Sequence, residues 1–235
     1  MAALKKYRHL FFDLDHTLWD FRSNSRETLK ELYAENGLQD LGIAEVNEFI
    51  VCYEEVNEGL WGRYEAGVIP KEVLRVLRFR NTLLRFGVKN DVLVDRLGHL
   101  YLERCPLKPH LMPGAKELLQ DLMVHYELHI ITNGFEEVQH LKLRSSGIAG
   151  YFSEIICSEK AGARKPDRRI FDHAQDLARA QKEECLMIGD NLLADMLGAR
   201  RAGWDHAHFA AEIEADVSAT YRVKHMDELR PILLA

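Results

Sequence analysis

Asp13 and Asp15 stand two residues apart where the apolar run of residues 9–12 gives out. In an extended segment the side chains at i and i+2 leave the same face. Two carboxylates facing one small volume draw in a metal ion or a shared proton. Three later segments carry complementary groups at similar junctions: Thr132, Asn133 and Gly134 after Ile131, then Lys165, Pro166 and Asp167, then Gly189, Asp190, Asn191 and Asp195 after Ile188. Acids, a fixed cation and hydrogen-bond donors are thus supplied from four places. If the apolar runs are parallel strands, all four junctions open at one edge of the sheet.

Such a set suits phosphoryl transfer from a monoester, which depends mainly on positioning and charge stabilisation. The obstacle is electrostatic. At about 4 Å and an effective dielectric of about 20, two like unit charges repel by about 4 kcal/mol, and a dianion facing a carboxylate by about twice that. A divalent cation and Lys165 are the expected remedy. Asp13 would attack phosphorus to give an aspartyl phosphate. Asp15, its pKa raised by the neighbouring acid, would protonate the leaving alcohol and then help to activate water. Asp190 would join Asp13 on a hard, oxygen-liganded ion such as Mg²⁺. The Thr132 hydroxyl, nearby backbone N–H groups and a helix N-terminus would hold phosphate oxygens.

The elements that must position these groups are legible as a pattern. Short apolar runs at 9–12, 127–131, 154–157, 185–188, 207–210 and 221–223 alternate with helical periodicity at 115–126, 135–146, 167–180 and 192–202, two of these helices being stopped by Gly147 and Gly203. The alternation predicts an α/β fold, a parallel sheet covered by helices. Between the first and second runs lies a long stretch in which helix signals dominate. Ser23, Asn24 and Ser25 offer caps for a helix ending near Asn36 and Gly37, and Pro70 suits the first turn of another that closes at Phe86 and Gly87. Arg75, Arg78, Arg80 and Arg85 read as the solvated face of that helix. Pro106, Pro109 and Pro113 stiffen the exit. The expected division is a core of residues 1–18 and 109–235 with a helical subdomain at 19–108.

Composition narrows the classes. The 235 residues are 47% hydrophobic and 29% charged, as expected of an ordinary globular chain, and the formal charge of -6 gives no general attraction for nucleic acid or anionic membrane. Recognition of phosphate must be local. The 4 cysteines form no CxxC pair and stand away from histidines at zinc spacing, so they read as buried thiols. The basic segment before Phe11 is too short in apolar residues for a signal peptide, and no run reaches the ~18 apolar residues of a membrane span, so a cytoplasmic protein is expected.

In order, the four segments resemble the motifs of the haloacid dehalogenase superfamily: Asp13-Leu14-Asp15-His16-Thr17 its DxDxT motif, Thr132-Asn133-Gly134 its second, Lys165-Pro166-Asp167 its third, and Gly189-Asp190 through Asp195 its fourth. The resemblance implies a Rossmann-like core with an inserted helical cap. It also implies Asp13 as nucleophile, Asp15 as acid/base and backbone-carbonyl ligand, Asp190 as the remaining protein ligand to Mg²⁺, and Asp195 as the residue that orients the metal shell. A narrower likeness, in Val56-Asn57-Glu58-Gly59-Leu60-Trp61, Tyr64, Gly67 and Ile131-Thr132-Asn133-Gly134-Phe135, is to the pyrimidine 5'-nucleotidase branch. His16 departs from the acidic residue common at that place, and as an i+1 side chain it should point away from the pocket.

Each segment also has a plainer reading. An isolated DxDxT is more often a capped turn, Lys-Pro-Asp a helix entrance, and Asp190 or Asp195 a cap or surface acid; only their order promotes them. Trp19, Phe21, Trp61, Tyr64 and Phe135 could form a slot in which a base stacks, with Trp61 and Tyr64 as the cap's specificity residues, or could simply be packing. His206 and His208 read as strand residues. The expectation is a Mg²⁺-dependent phosphomonoesterase, monomer or homodimer, acting on a small phosphorylated metabolite, with pyrimidine (deoxy)nucleoside monophosphates as the substrates the narrower likeness implies and with no nucleic acid polymer or membrane as partner. A sugar-phosphate phosphatase, a phosphomutase and a non-catalytic binding module remain alternatives. A dehalogenase would need neither Asp15 nor Asp190.

Overall fold

The structure, a computed structural model, describes residues 6–210 and 218–234; the first five residues of the basic N-terminal segment lie outside them. The chain divides into two compact units, Met1–Phe21 with Pro109–Ala235, and Arg22–Lys108. After strand β1 (His9–Phe12) come four helices, α1 (Phe21–Glu35), α2 (Val46–Glu65), α3 (Lys71–Arg85) and α4 (Asp91–Arg104). The chain then runs through α5 (Ala115–Leu122), β2 (Glu127–Thr132), α6 (Glu136–Ser145), β3 (Phe152–Cys157), α7 (Ser158–Ala161) and α8 (Arg168–Ala178). It finishes with β4 (Cys185–Gly189), α9 (Gly198–Ala202), β5 (Asp205–Phe209), β6 (Tyr221–Val223) and α10 (Leu229–Leu233).

The six strands form one parallel sheet in the order β3-β2-β1-β4-β5-β6. Strand β1 is central because it is apolar on both faces. Leu10 and Phe12 on one face, and Phe11 on the other, are fully buried, as a sheet covered on both sides requires. Phe11 joins Ile131, Met187, Ile170, Phe171, Ala174 and Trp204 in a single core cluster under α8. Fully burying such a side chain is worth about 1.5–3 kcal/mol. The chain order reverses between β1 and β4, and the crevice beyond the strand ends at such a switch is where ligands bind in open α/β sheets. Asp13 follows β1 and Asp190 follows β4, one on each side of it.

The helix expected at 192–202 is split. Residues Leu192–Leu197 form a wide π-helical turn before α9 begins at Gly198. The Asn191 side chain accepts from the backbone N–H groups of Leu193 and Ala194 at 3.0 and 2.9 Å, and Asp195 is 1% exposed. A side chain at Gly198 would strike the Phe171 ring and come within 3.2 Å of the Pro166 backbone. Glycine there lets the wide turn close against α8.

The helical unit corrects two expectations. Helix α1 starts at Phe21, so Asn24 and Ser25 lie inside it, 0% and 1% exposed, rather than capping it. Tyr101 donates to the Ser25 hydroxyl at 2.8 Å, and Thr28, one turn on, donates to the Asn24 backbone carbonyl at 2.9 Å. On α3, Arg78 is no part of a solvated face. It falls at helical spacing between Leu74 and Thr82 on the buried stripe, is 4% exposed, and rests its guanidinium 4.4 Å from the Tyr101 ring centre. Tyr53, Phe79 and Tyr101 pack ring to ring around it at 5.0–5.7 Å. Pro70 does precede α3, and Gly87, at φ 76°, follows its end. Among the described residues no helix is long and apolar enough to cross a membrane.

Candidate active site

The backbone of β1 carries its alignment one residue past the strand, Asp13 N–H donating to the Ile188 carbonyl at 2.9 Å. A tight turn then begins: Leu18 and Trp19 both donate to the Leu14 carbonyl, and His16 donates back to Trp19. His16 sits at φ 66° and is exposed. The buried Leu14, Thr17, Leu18 and Trp19 pin this turn, fixing the direction in which the two acids leave the strand.

Asp13 and Asp15 receive different lysines. Lys165 Nζ, 2% exposed, sits 2.6 Å from Asp13 Oδ1 and 2.6 Å from Asp195 Oδ1. Asn133 positions it from behind. Its amide donates to the Lys165 carbonyl at 3.0 Å while its Oδ1 accepts the Lys165 N–H at 2.8 Å. Asp195 is itself anchored by the Asn191 N–H at 3.0 Å, and a side chain at Gly189 would collide with its carboxylate. The glycine after β4 is thus the space in which that acid lies.

Asp15 instead meets Lys142 Nζ at 2.5 Å and Gln139 Nε2 at 2.9 Å, both from α6. Gln139 Nε2 also donates to Thr132 Oγ1 at 2.8 Å, and the Gly134 N–H donates to the same oxygen at 3.0 Å. With its lone pairs taken, the Thr132 hydroxyl keeps its proton for an outside acceptor. Gly134 is required by the same contact, since a Cβ there would overlap the Gln139 side chain. Lys142 is additionally held over the faces of Trp19 and Phe21, 4.5 and 5.6 Å from their centroids.

The electrostatics follow from this division. Burial pushes Asp13 up to about 7 against the pull of Lys165, with Asp195 adding to the rise. Burial and then Asp13 push Asp190 up to about 6. Asp195 is raised by burial as well. Burial works against the charge on Lys165, yet Asp13 and Asp195 hold its pKa above the ordinary value. Asp15 goes the other way. Burial would raise it, but Lys142 and then Gln139 bring it below the ordinary carboxylate range. The raised pKa expected of Asp15 is therefore wrong, because the neighbour that matters is an ammonium and not the other acid.

Carboxylate oxygens of Asp13, Asp190 and Asp195 lie within 4.8 Å of one another. Fully ionised, the three acids carry three negative charges against the one ammonium of Lys165, a deficit of two. An all-oxygen donor set with that deficit fits a hard divalent cation. Asp190 is steadied for such a role by Thr17 Oγ1, which donates to its carboxylate at 3.0 Å, and by a His208 Nε2 contact to its carbonyl at 3.0 Å.

The fold thus brings Asp13, Lys165, Asp190 and Asp195 together and sets Asp15 and Thr132 beside α6, while Asn133 uses its side-chain amide on Lys165. Trp19 and Phe135 are buried, and Trp61 and Tyr64 belong to the helical unit, packed edge to face at 5.4 Å with Tyr64 only 2% exposed. His208, in the strand expected of it, reaches the Asp190 backbone. Lys142 and Gln139 were not read from the sequence, although their three-residue spacing places them on one face of α6.

The haloacid dehalogenase-like hydrolase family profile matches residues 7–203. The chain is 33% identical over 229 residues to pyrimidine 5'-nucleotidase PynA of Streptococcus pneumoniae, covering 95% of this chain and 93% of that one. It is 32% identical over 234 residues to pyrimidine 5'-nucleotidase YjjG of Escherichia coli, covering 97% and 98%. A crystal structure of YfnB from Bacillus subtilis bound to magnesium superposes with a TM-score of 0.87 at 30% identity, covering 98% of this chain and all 100% of that one.

Proposed function

Since this chain belongs to the haloacid dehalogenase-like hydrolases, we propose that it is a Mg²⁺-dependent phosphomonoesterase that works through a phosphoryl group on Asp13 and acts on pyrimidine nucleoside 5'-monophosphates, ribo or deoxy. The observation that carries the reading is the Lys165 ammonium seated between Asp13 and Asp195 at 2.6 Å from each. It fixes Asp13 Oδ1, and the second carboxylate oxygen is assigned the attack.

In the first step an Asp13 carboxylate oxygen bonds to phosphorus as the bond to the ester oxygen breaks, and the departing alkoxide takes up a proton from water. In the second, water attacks the aspartyl phosphate, losing a proton as the Asp13 carboxylate is released with inorganic phosphate. Asp15, kept ionised by Lys142 and Gln139, is better suited to accept that water's proton than to donate the first one. The Thr132 hydroxyl and the N-terminus of α6 would hold phosphate oxygens. Mg²⁺ would be held by Asp13 and Asp190, with the Asp15 backbone carbonyl as the ligand implied by family, and would offset the repulsion between phosphate and the acids.

The pyrimidine assignment draws on the two nucleotidases similar over nearly their whole length. The inserted helical unit is assigned the role of selecting the leaving group, with Trp61 as its base contact and Tyr64 behind it. Phosphate release should be measured across nucleoside and sugar monophosphates, with and without Mg²⁺. The proposal expects UMP, dUMP and TMP to lead, with turnover lost on chelation. Equal rates on sugar phosphates would remove the nucleotide assignment, and release unaffected by chelation would remove the ion.

A further inference from the structure

At the other end of the same strands lies a second convergence of ligating side chains. His9 opens β1, and parallel register places it beside Glu127 of β2, with Phe11 beside His129. His9, Glu127 and His129 therefore leave the same face of the sheet. His9 Nδ1 is 3.2 Å from His129 Nε2 and 3.9 Å from Glu127 Oε2, and donor atoms of all three lie within 4.8 Å of one another. His9 is 4% exposed and His129 0%. The Glu127 side chain is 55% exposed and marks the open side.

We propose that His9, Glu127 and His129 form a binding site for a divalent transition-metal ion of the zinc type, separate from the catalytic acids. Two imidazole nitrogens bound at about 2.0–2.1 Å in a tetrahedral zinc site stand about 3.3–3.4 Å apart. The 3.2 Å separation here approaches that, and because the two nitrogens face each other with ring centroids 5.4 Å apart, His9 must turn for both lone pairs to meet one ion. Glu127, the long exposed chain, closes the remaining distance by rotation. Two imidazoles and one carboxylate prefer zinc, cobalt, nickel or copper to magnesium, whereas the all-oxygen set at the other end has the opposite preference. Burial holds both imidazoles below their ordinary pKa, so their lone pairs are available at neutral pH. His129 is packed by Phe11, whose ring stacks on it at 4.6 Å, so one ligand arrives already oriented. His129 Nδ1 has no hydrogen-bond partner among the described residues. Lacking that support, the site is expected to bind less tightly than a buttressed structural zinc site. Strand β1 separates it from Asp13 by four residues, about 13 Å of extended chain.

The test uses the full chain, stripped with chelator and kept in excess Mg²⁺ so that the oxygen site is occupied. Co²⁺ is titrated while visible absorption is followed, and Zn²⁺ is titrated calorimetrically. The proposal predicts one equivalent with a nitrogen-ligated Co²⁺ spectrum, abolished in His9→Gln, weakened about tenfold or more in Glu127→Gln, and retained in Asp190→Asn. Glu127→Gln alters an exposed side chain, so it keeps the test decisive if the buried histidine variant does not fold. No bound equivalent in the wild type would overturn the site and leave a plain imidazole–imidazole hydrogen bond. So would an equivalent that survives Glu127→Gln unchanged or disappears in Asp190→Asn. None of these outcomes depends on phosphatase activity.

Discussion

Strand β1 buries polar groups at both ends, and the two ends solve the problem differently. At its carboxyl end Asp13 is kept beside a buried ammonium, and further acids gather round until negative charge exceeds positive. At its amino end His9 meets another imidazole, and burial favours the neutral form of both. A buried charge needs a charged partner delivered from a distant loop, whereas a buried neutral ring needs packing and a neutral hydrogen-bond partner, which each imidazole here supplies to the other. The first end is thereby committed to charge chemistry. The second holds neutral imidazoles, whose nitrogens can ligate an ion once their mutual contact opens.

The contrast breaks most visibly at Asp13. Asp13→Asn keeps the shape of the site and removes the attacking oxygen's charge, so phosphate release under saturating substrate should fall by at least about a thousandfold, with little change in melting temperature. Lys165→Met next strips the ammonium from two buried carboxylates. Denaturant unfolding should show a loss of about 3–5 kcal/mol, part of which Asp195→Asn should restore when the two are combined.

The difference between these two residues also shows how far the sequence could be read. Asp13 and Asp15 announce themselves locally, because an apolar run followed by alternate acids needs no knowledge of the fold. Lys165 was legible only through its place in a series of strand ends. Lys142 and Gln139 were not legible at all: a glutamine and a lysine on a polar helix look solvated until α6 is laid against Thr132 and Asp15. Arg78 misled for the converse reason. It lies among other arginines, yet its helical phase matches Leu74 and Thr82, and that phase decided its burial. Strands β1, β2 and β4 could be anticipated because a sheet buried on both faces writes itself as nearly unbroken apolar runs, whereas β5 and β6, interrupted by His206, His208 and Arg222, left a weaker trace. The π-helical turn after Asn191 could not, since it depends on Asp195 turning inward to Lys165.

The neutral end is sharpened by pH. The ordinary histidine value is 6.5, and burial followed by the nearby His9 pushes His129 down to about 4. The folded chain therefore binds fewer protons than the unfolded one between these values. In chelated protein, stability should be complete above about pH 6.5 and fall as pH drops toward 4, by on the order of 2 kcal/mol. His129→Phe should flatten that slope in thermal or urea unfolding. The smallest expected effect is at Lys142. In Lys142→Met, Asp15 loses the ammonium that favours its ionised form, so its pKa rises and the acidic limb of the kcat/KM profile should move to higher pH by about one unit. An unmoved limb would place the essential base elsewhere.

The account turns on Asp13 carrying the phosphoryl group between its two displacements. Rapid acid quench during turnover of a reactive phosphomonoester, followed by peptide mapping by mass spectrometry, tests this directly. The predicted result is a phosphoryl group on the peptide containing Asp13, absent from Asp13→Asn. A phosphoryl group on any other side chain, or steady phosphate release with no phosphorylated protein at any quench time, would contradict it.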